Sequence, residues 1–343
     1  MLELINVVKK FNISGNKEDE RVALDHVSLK IKPGEFITVI GGNGSGKSTT
    51  LNIISGALTP DSGKVLLNDF DTSKMPEYKK AAYFGRVFQD PMMGTAAEMS
   101  IYENLEIAYA RGKFHSPIKW GFSDKHKQLF IEELKKFDLG LEDRLEQKVG
   151  LLSGGQRQAL TLLMATLRQM PSERIIKRDY VRFCETDKVK AKEEVTQGFE
   201  LAKETKRNAL KEISENKSLS RQERKEAKNL IHKTYNREIA KFDLTKQILL
   251  LDEHTAALDP KTAAKVLDIT ERIVNENQLT TIMITHNMKD AIRYGNRLIM
   301  MSHGKVVVDV SGEEKQKLTV EQLLEMFQVA SKDDYLSDST ILG

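Results

Sequence analysis

Among 343 residues there is one cysteine, Cys184, and one tryptophan. A lone cysteine excludes an internal disulfide and any metal site built on paired thiolates. No stretch approaches the roughly 18–20 consecutive apolar residues that cross a bilayer, so a spanning helix is excluded too. The opening residues Met1-Leu-Glu-Leu-Ile-Asn-Val7 lack the basic and apolar regions of a signal peptide, and the expected location is the cytoplasm. A formal net charge of +3 is too small to argue for a nucleic-acid partner. What is present is 40% hydrophobic and 30% charged residues, a balance that fits a globular chain with core enough for one large domain or two.

The strongest local signal is Ile37-Thr-Val-Ile-Gly-Gly-Asn-Gly-Ser-Gly-Lys-Ser-Thr49. A β-type run enters Gly41-x-x-x-x-Gly46-Lys47-Ser48, and a helical spacing of Leu51, Ile54 and Leu58 leaves it. Strand, glycine loop and helix together make a P-loop. Glycines let successive backbone N–H groups turn inward around an anion, and the helix start adds its positive dipole end. The expected phosphate-binding set is Gly41, Asn43, Gly44, Ser45, Gly46, Lys47, Ser48 and Thr49. Lys47 reaches the β- and γ-phosphates and the Ser48 hydroxyl is a Mg²⁺ ligand.

Strands are expected near residues 2–11, 22–31, 36–40 and 64–67, with Ser14-Gly15-Asn16 in a hairpin loop and Pro33-Gly34 in a turn. A further strand covers 84–89. Helical character begins near Ala96; Phe130, Leu134 and Phe137 share one helix face, and Ser123 can cap its start. Leu152-Ser-Gly-Gly-Gln156 leads into an apolar helix with Ser153 as N-cap. Ile248-Leu-Leu-Leu-Asp-Glu253 reads as a buried parallel strand ending in two carboxylates, and 280–285 as another ending at His286. Strands at 297–301 and 305–310 follow, then a short helix capped by Thr319-x-x-Gln322 and a disordered tail from Ser331.

Residues 171–243 differ in character, with 19 Lys/Arg against 14 Asp/Glu, so the positive balance of the chain resides here. Val189, Val195, Phe199, Ala202, Leu210 and Ile213 form one helical stripe. Ala227, Leu230, Ile231, Tyr235, Ile239 and Phe242 form a second. Asn216 to Leu219 turn between them, and Ser220-x-x-Glu223 is a capping box. The expectation is an antiparallel helical hairpin. Its mixed charge reads as a solvated face rather than a nucleic-acid patch.

Taken in order, the P-loop, Gln89, Leu152-Ser-Gly-Gly-Gln156, Leu250-Leu-Asp-Glu253 and His286 resemble the motifs of ATP-binding cassette (ABC) ATPases, and Ala257-Leu258-Asp259 resembles their D-loop. The match covers residues 1–310 apart from 171–243. It implies an α/β P-loop NTPase cassette with a mixed sheet core, an antiparallel β subdomain and a helical signature subdomain at about 96–168. An inserted helical hairpin at 171–243 and a C-terminal short helix and tail at 311–343 complete the expected organisation. The resemblance implies ATP and Mg²⁺ as ligands, Phe11 against the adenine, and Ser48, Gln89 and Asp252 at the metal. It makes Glu253 the base that orients the attacking water, with His286, Gln89 and Lys47 in the catalytic set. It implies a head-to-tail homodimer in which Ser153, Gly154, Gly155 and Gln156 of one copy, with Asp259, complete the site of the other. The chain departs from the family at His254, where proline is common, and in the insertion.

The runs 86–91, 152–167 and 252–259 look like those of bacterial uptake systems, some linked to aromatic amino acids. The resemblance therefore implies an energising subunit on the cytoplasmic side of the membrane. Its partners would be a separate integral permease and, through it, an extracytoplasmic substrate-binding protein; no nucleic acid is expected. The alternatives are a soluble non-transport ABC ATPase in translation or DNA maintenance, and a binding module that no longer hydrolyses. The intact Lys47, Ser48, Asp252, Glu253 and His286 count against the last.

Overall fold

The computed structural model describes residues 1–12, 20–68, 70–110, 124–167, 173–183, 188–216, 218–239 and 248–330. The expected loop at 14–16, the cap Ser123, Phe242 of the second insertion stripe and the tail from Ser331 lie outside these residues. The chain packs as two units, one of residues 1–67, 71–168 and 247–343, the other of 68–70 and 169–246.

Two sheets carry the larger unit. In the antiparallel one, β1 (Leu2–Asn12) is hydrogen-bonded between β2 (Glu20–Ile31) and β4 (Ser62–Leu67). The second is a mixed sheet that contains β3 (Phe36–Ile40), β6 (Phe84–Val87), β7 (Ile248–Asp252), β8 (Thr280–Ile284), β9 (Arg297–Ser302) and β10 (Lys305–Ser311). Its order is β10-β9-β3-β8-β7-β6, and only the β10–β9 pair is antiparallel. The short β5 (Phe70–Asp71) follows β4 in the chain.

The central strands read as unbroken apolar runs because both of their faces are covered. Ile37, Val39, Ile248, Leu250, Ile282 and Ile284 share one core with the antiparallel sheet and with α1 (Lys47–Ser55). Their neighbours Leu249, Leu251 and Met283 point the other way, as a period of two requires. That second core includes side chains from α3 (Ile101–Tyr109), α4 (Asp124–Lys135), α5 (Gly154–Thr166) and α9 (Pro260–Asn277). Burying each of these Leu or Ile side chains contributes about 1.5–3 kcal/mol. A third core joins Ile40 and Met300 to α10 (Met288–Arg293) and α12 (Val320–Ala330), the latter following α11 (Gly312–Gln316).

Several boundaries move from the sequence expectation. The helical stretch starts with α3 at Ile101, where Ser100 and Glu103 form a capping box, rather than near Ala96. β6 ends at Val87, short of Gln89, and α1 ends at Ser55 before Leu58. Phe137 lies beyond α4 yet is buried with Phe130 and Leu134. The end of α1 is held by α2 (Glu77–Lys80): the buried Lys80 ammonium donates to the carbonyls of Ile53 (3.1 Å) and Ile54 (3.2 Å), complementing the negative end of the helix dipole. Burial pulls the pKa of Lys80 down to about 8.

Among its described residues the smaller unit holds three helices where the sequence suggested two: α6 (Glu173–Phe183), α7 (Lys188–Glu215) and α8 (Arg221–Ile239). Their shared core is Ile176, Val195, Phe199, Ala202 and Ile239. Tyr235 of α8 donates to Glu173 of α6 at 2.6 Å, and Lys203 of α7 pairs with the same carboxylate at 2.9 Å. Val189 and Leu230, placed on the expected stripes, are exposed. The Ser220–Glu223 capping box forms as read.

Candidate active site

Strands β3, β8, β7 and β6 are parallel neighbours, so the loops at their carboxyl ends open on one edge of the sheet, where α/β proteins bind ligands. The glycine loop leaves β3, Asp252 and Glu253 end β7, His286 follows β8, and Gln89 follows β6. Residues that lie far apart in sequence therefore converge.

The loop depends on glycine for its shape. Gly41 has φ 150°, and a Cβ there would lie 2.2 Å from the Met301 carbonyl oxygen, so only glycine fits. Lys47 opens α1; its Nζ donates to the carbonyls of Gly41 (2.8 Å) and Gly42 (3.0 Å) and is largely shielded from solvent. Burial lowers its pKa, while the charges of Glu253 and Asp252 oppose the shift. The Ser45 hydroxyl is buried without a hydrogen-bond partner. Among the described residues the loop thus has an orphaned donor and an ammonium satisfied only by its own carbonyls, which fits a cradle for phosphate oxygens.

Ser48 Oγ donates to Asp252 Oδ1 at 3.3 Å. A hydroxyl beside a carboxylate at the loop is an all-oxygen donor set suited to Mg²⁺. Gln89 is exposed, and no hydrogen bond ties it to this pair among the described residues; the expected grouping of Gln89 with Ser48 and Asp252 is not closed in this conformation. The physical reason is that β6 ends two residues earlier, leaving Gln89 in the bend that precedes the short helical turn Pro91–Gly94.

The other oxygen of Asp252 meets a group the sequence reading missed. Arg86 of β6 reaches Asp252 Oδ2 from Nη2 at 3.2 Å. β6 lies beside β7 with Arg86 opposite Leu250, which places the two side chains at the same sheet edge. The only signal in the sequence was a basic residue inside an apolar strand.

Glu253 has φ 47°, a left-handed conformation uncommon for a side chain of this size, and its amide donates to Ile284 O at 3.1 Å. Its Oε1 lies 2.5 Å from His286 Nε2. That hydrogen bond holds the Glu253 carboxyl below its ordinary pKa against the opposing effect of burial, so it is ionised at neutral pH. Phe11 stands half-exposed at the end of β1 under the Lys9 ammonium, 5.6 Å from its ring centre.

The helix start at Ser153 lies on a different part of the same unit. Ser153 Oγ accepts from Gln156 N (3.3 Å), and Gln156 Oε1 accepts from Ser153 N (3.2 Å), a reciprocal capping box. A Cβ on Gly155 would come 2.2 Å from Thr262 Cγ2, so the signature glycine lets α5 pack tightly on the start of α9. Asp259 caps α9 by accepting from Thr262 N at 3.1 Å, and is exposed. Among the described residues no hydrogen bond joins Ser153 or Gln156 to the glycine loop.

His254, next to Glu253, is 2% exposed, with Nε2 3.2 Å from Thr270 Oγ1. Burial pushes its pKa down to about 4. As pH falls through the ordinary value near 6.5, the unfolded chain takes up a proton that the folded chain refuses until about pH 4. Stability therefore falls between those limits and levels below them. The group should remove about 2 kcal/mol of stability between pH 7 and pH 5. Denaturant unfolding at the two pH values should show that slope in the parent and a flatter one in His254→Gln; equal slopes would mean the imidazole is not held neutral.

A family model described as ABC transporter matches residues 24–172. The chain is 35% identical over 332 residues to the tyrosine transport ATP-binding protein of Clostridioides difficile, covering 96% of this chain and all of that one. It is 27% identical to the methionine import ATP-binding protein MetN of Corynebacterium efficiens, over 89% of this chain and 61% of that one. Among solved structures, a dimeric bacterial ABC transporter cassette aligns with TM-score 0.58 and 23% identity, covering 91% of this chain and 98% of that chain. A post-hydrolysis cassette dimer bound to ADP and Pi aligns with TM-score 0.56.

Proposed function

The chain belongs to the ABC transporter ATPases, and from that premise we propose that it energises solute uptake through a separate membrane permease. The observation that carries the proposal is the meeting of Lys47, Ser48, Asp252, Glu253 and His286 at one sheet edge, in a chain whose described helices include none long and apolar enough to cross a membrane. Such a chain releases the energy of ATP but needs a partner to carry anything.

In this reading the glycine loop holds the triphosphate, with Lys47 turning from the Gly41 and Gly42 carbonyls to the β- and γ-phosphates. Ser48 and Asp252, with Gln89, would hold Mg²⁺, which when bound would neutralise charge on the phosphates. Glu253, ionised and held by His286, orients the attacking water. Phe11 offers a stacking face to the adenine. Ser153, Gly154, Gly155, Gln156 and Asp259 serve the nucleotide held by a second copy in a head-to-tail homodimer. Closure on ATP and opening after hydrolysis would then shift the permease between its states.

Pro91–Gly94 starts two residues after Gln89, and there Met92 and Met93 are 43% and 71% exposed. Adaptable thioethers beside a nucleotide-sensing loop suit the cytoplasmic segments of a permease. We place the chain at the cytoplasmic face as a peripheral subunit, with a substrate-binding protein reached only through the permease. The named functions of the relatives, tyrosine transport and methionine import, support an amino acid as the solute.

Affinity capture of the full chain from detergent-solubilised membranes should bring down an integral permease, and loss of the chain should abolish uptake of one amino acid, tyrosine being the first to assay. Capture without any membrane protein, with amino-acid uptake intact in the deletion strain, would overturn the transport reading.

A further inference from the structure

Asp252 is held by both oxygens. Oδ1 meets Ser48, and Oδ2 meets Arg86 Nη2 at 3.2 Å. Arg86 is itself anchored. Its guanidinium carbon lies 4.6 Å from the centre of the Phe88 ring, Nη1 is 3.4 Å from Ser55 Oγ at the end of α1, and Nε is buried without a partner. The Arg86 and Asp252 side chains are each only 15% exposed, so the pair is shielded from solvent and salt. A guanidinium stacked on an aromatic ring and spent on a single carboxylate has little freedom to leave it.

We propose that Arg86 is a positioning residue for the metal site: it occupies Oδ2 of Asp252 so that Oδ1 is presented to Ser48 and stays available to a Mg²⁺ that the two would hold. The inference rests on the reading of Ser48 and Asp252 as metal-holding residues. A carboxylate without this anchor can rotate about its Cβ–Cγ bond and share Oδ1 and Oδ2 between Ser48 and solvent. Arg86 also offsets one of two adjacent negative charges, Asp252 and Glu253, at a site that must admit a polyanion. Groups that hold a metal-binding carboxylate from behind typically contribute about 10–100-fold to metal affinity.

The test is equilibrium binding of a fluorescent ADP derivative to the full chain, titrated with Mg²⁺, so that no turnover enters the measurement. In Arg86→Met the half-saturating Mg²⁺ should rise about 10-fold, whereas ADP binding in excess EDTA should change less than about 2-fold. Arg86→Lys keeps one donor and should recover most of the loss. In an Asp252→Asn background, removing Arg86 should shift the Mg²⁺ requirement no further, since the two act on one carboxylate. Thermal unfolding of each variant separates positioning from folding; if Arg86→Met does not fold, Arg86→Lys and the comparison within the Asp252→Asn background carry the test. An unchanged or lowered Mg²⁺ requirement in Arg86→Met, or additive effects in the double variant, would overturn the proposal. If instead Asp252→Asn alone leaves the Mg²⁺ dependence unaltered, the metal assignment itself fails.

Discussion

Glu253→Gln should lower ATP hydrolysis by at least about 100-fold while leaving ATP bound. Gln keeps the length of the side chain and an amide oxygen for the 2.5 Å contact with His286, but it carries no charge with which to orient and activate water. Its backbone should be retained as well, because the hydrogen bond that the Glu253 amide donates to Ile284 O at the left-handed φ of 47° does not involve the carboxylate. The groups proposed to hold the nucleotide and its metal, Lys47, Ser48 and Asp252, are untouched. ATP should therefore accumulate uncleaved, and the closed dimer should persist long enough to elute as a dimer in size-exclusion chromatography with ATP and Mg²⁺. Hydrolysis near the parent rate in this variant would remove Glu253 from the catalytic role. His286→Ala offers a second reading of the same pair, because it deletes the hydrogen bond that holds the Glu253 carboxylate in place and lowers its pKa.

Much of this site is legible in the residues alone, for a physical reason. Anion loops need glycines at fixed intervals and helix starts need caps, so Gly41 to Ser48 and Ser153 to Gln156 carry their chemistry within a few residues. The buried strands are legible because Ile248 to Leu251 cannot tolerate polarity on either face. Arg86 is not, since its partner lies far away in sequence and only the β6–β7 pairing brings them together. His254 stands out as an unusual residue, yet its burial against Thr270 follows from the packing of α9. The third helix of the insertion escapes because its apolar residues are few among many charges; of its described side chains, Ile176 is inside and Tyr180 and Val181 pack against that core. That i, i+4 spacing is the available signal, diluted by charge. The stripe residues Val189 and Leu230 fall outside because a loose periodicity does not fix which phase of a helix faces inward.

Mixing two inactive variants should restore hydrolysis. Lys47→Ala removes the phosphate-binding ammonium, and Ser153→Arg fills the exposed helix start where a second copy's nucleotide would lie. Each homodimer should lose at least about 100-fold, because every composite site then lacks one half. In the mixed dimer, the intact glycine loop of the Ser153→Arg chain faces the intact signature of the Lys47→Ala chain, leaving one complete site and one doubly defective. With random pairing and independent sites, activity should recover to about a quarter of the parent at equal total protein, as two-fold symmetry dictates. A single chain that built its site from its own loop and its own signature would show no recovery on mixing. The Ser153 cap is tied to Gln156 and packed, through Gly155, on Thr262 of α9, and among the described residues no hydrogen bond joins it to the glycine loop.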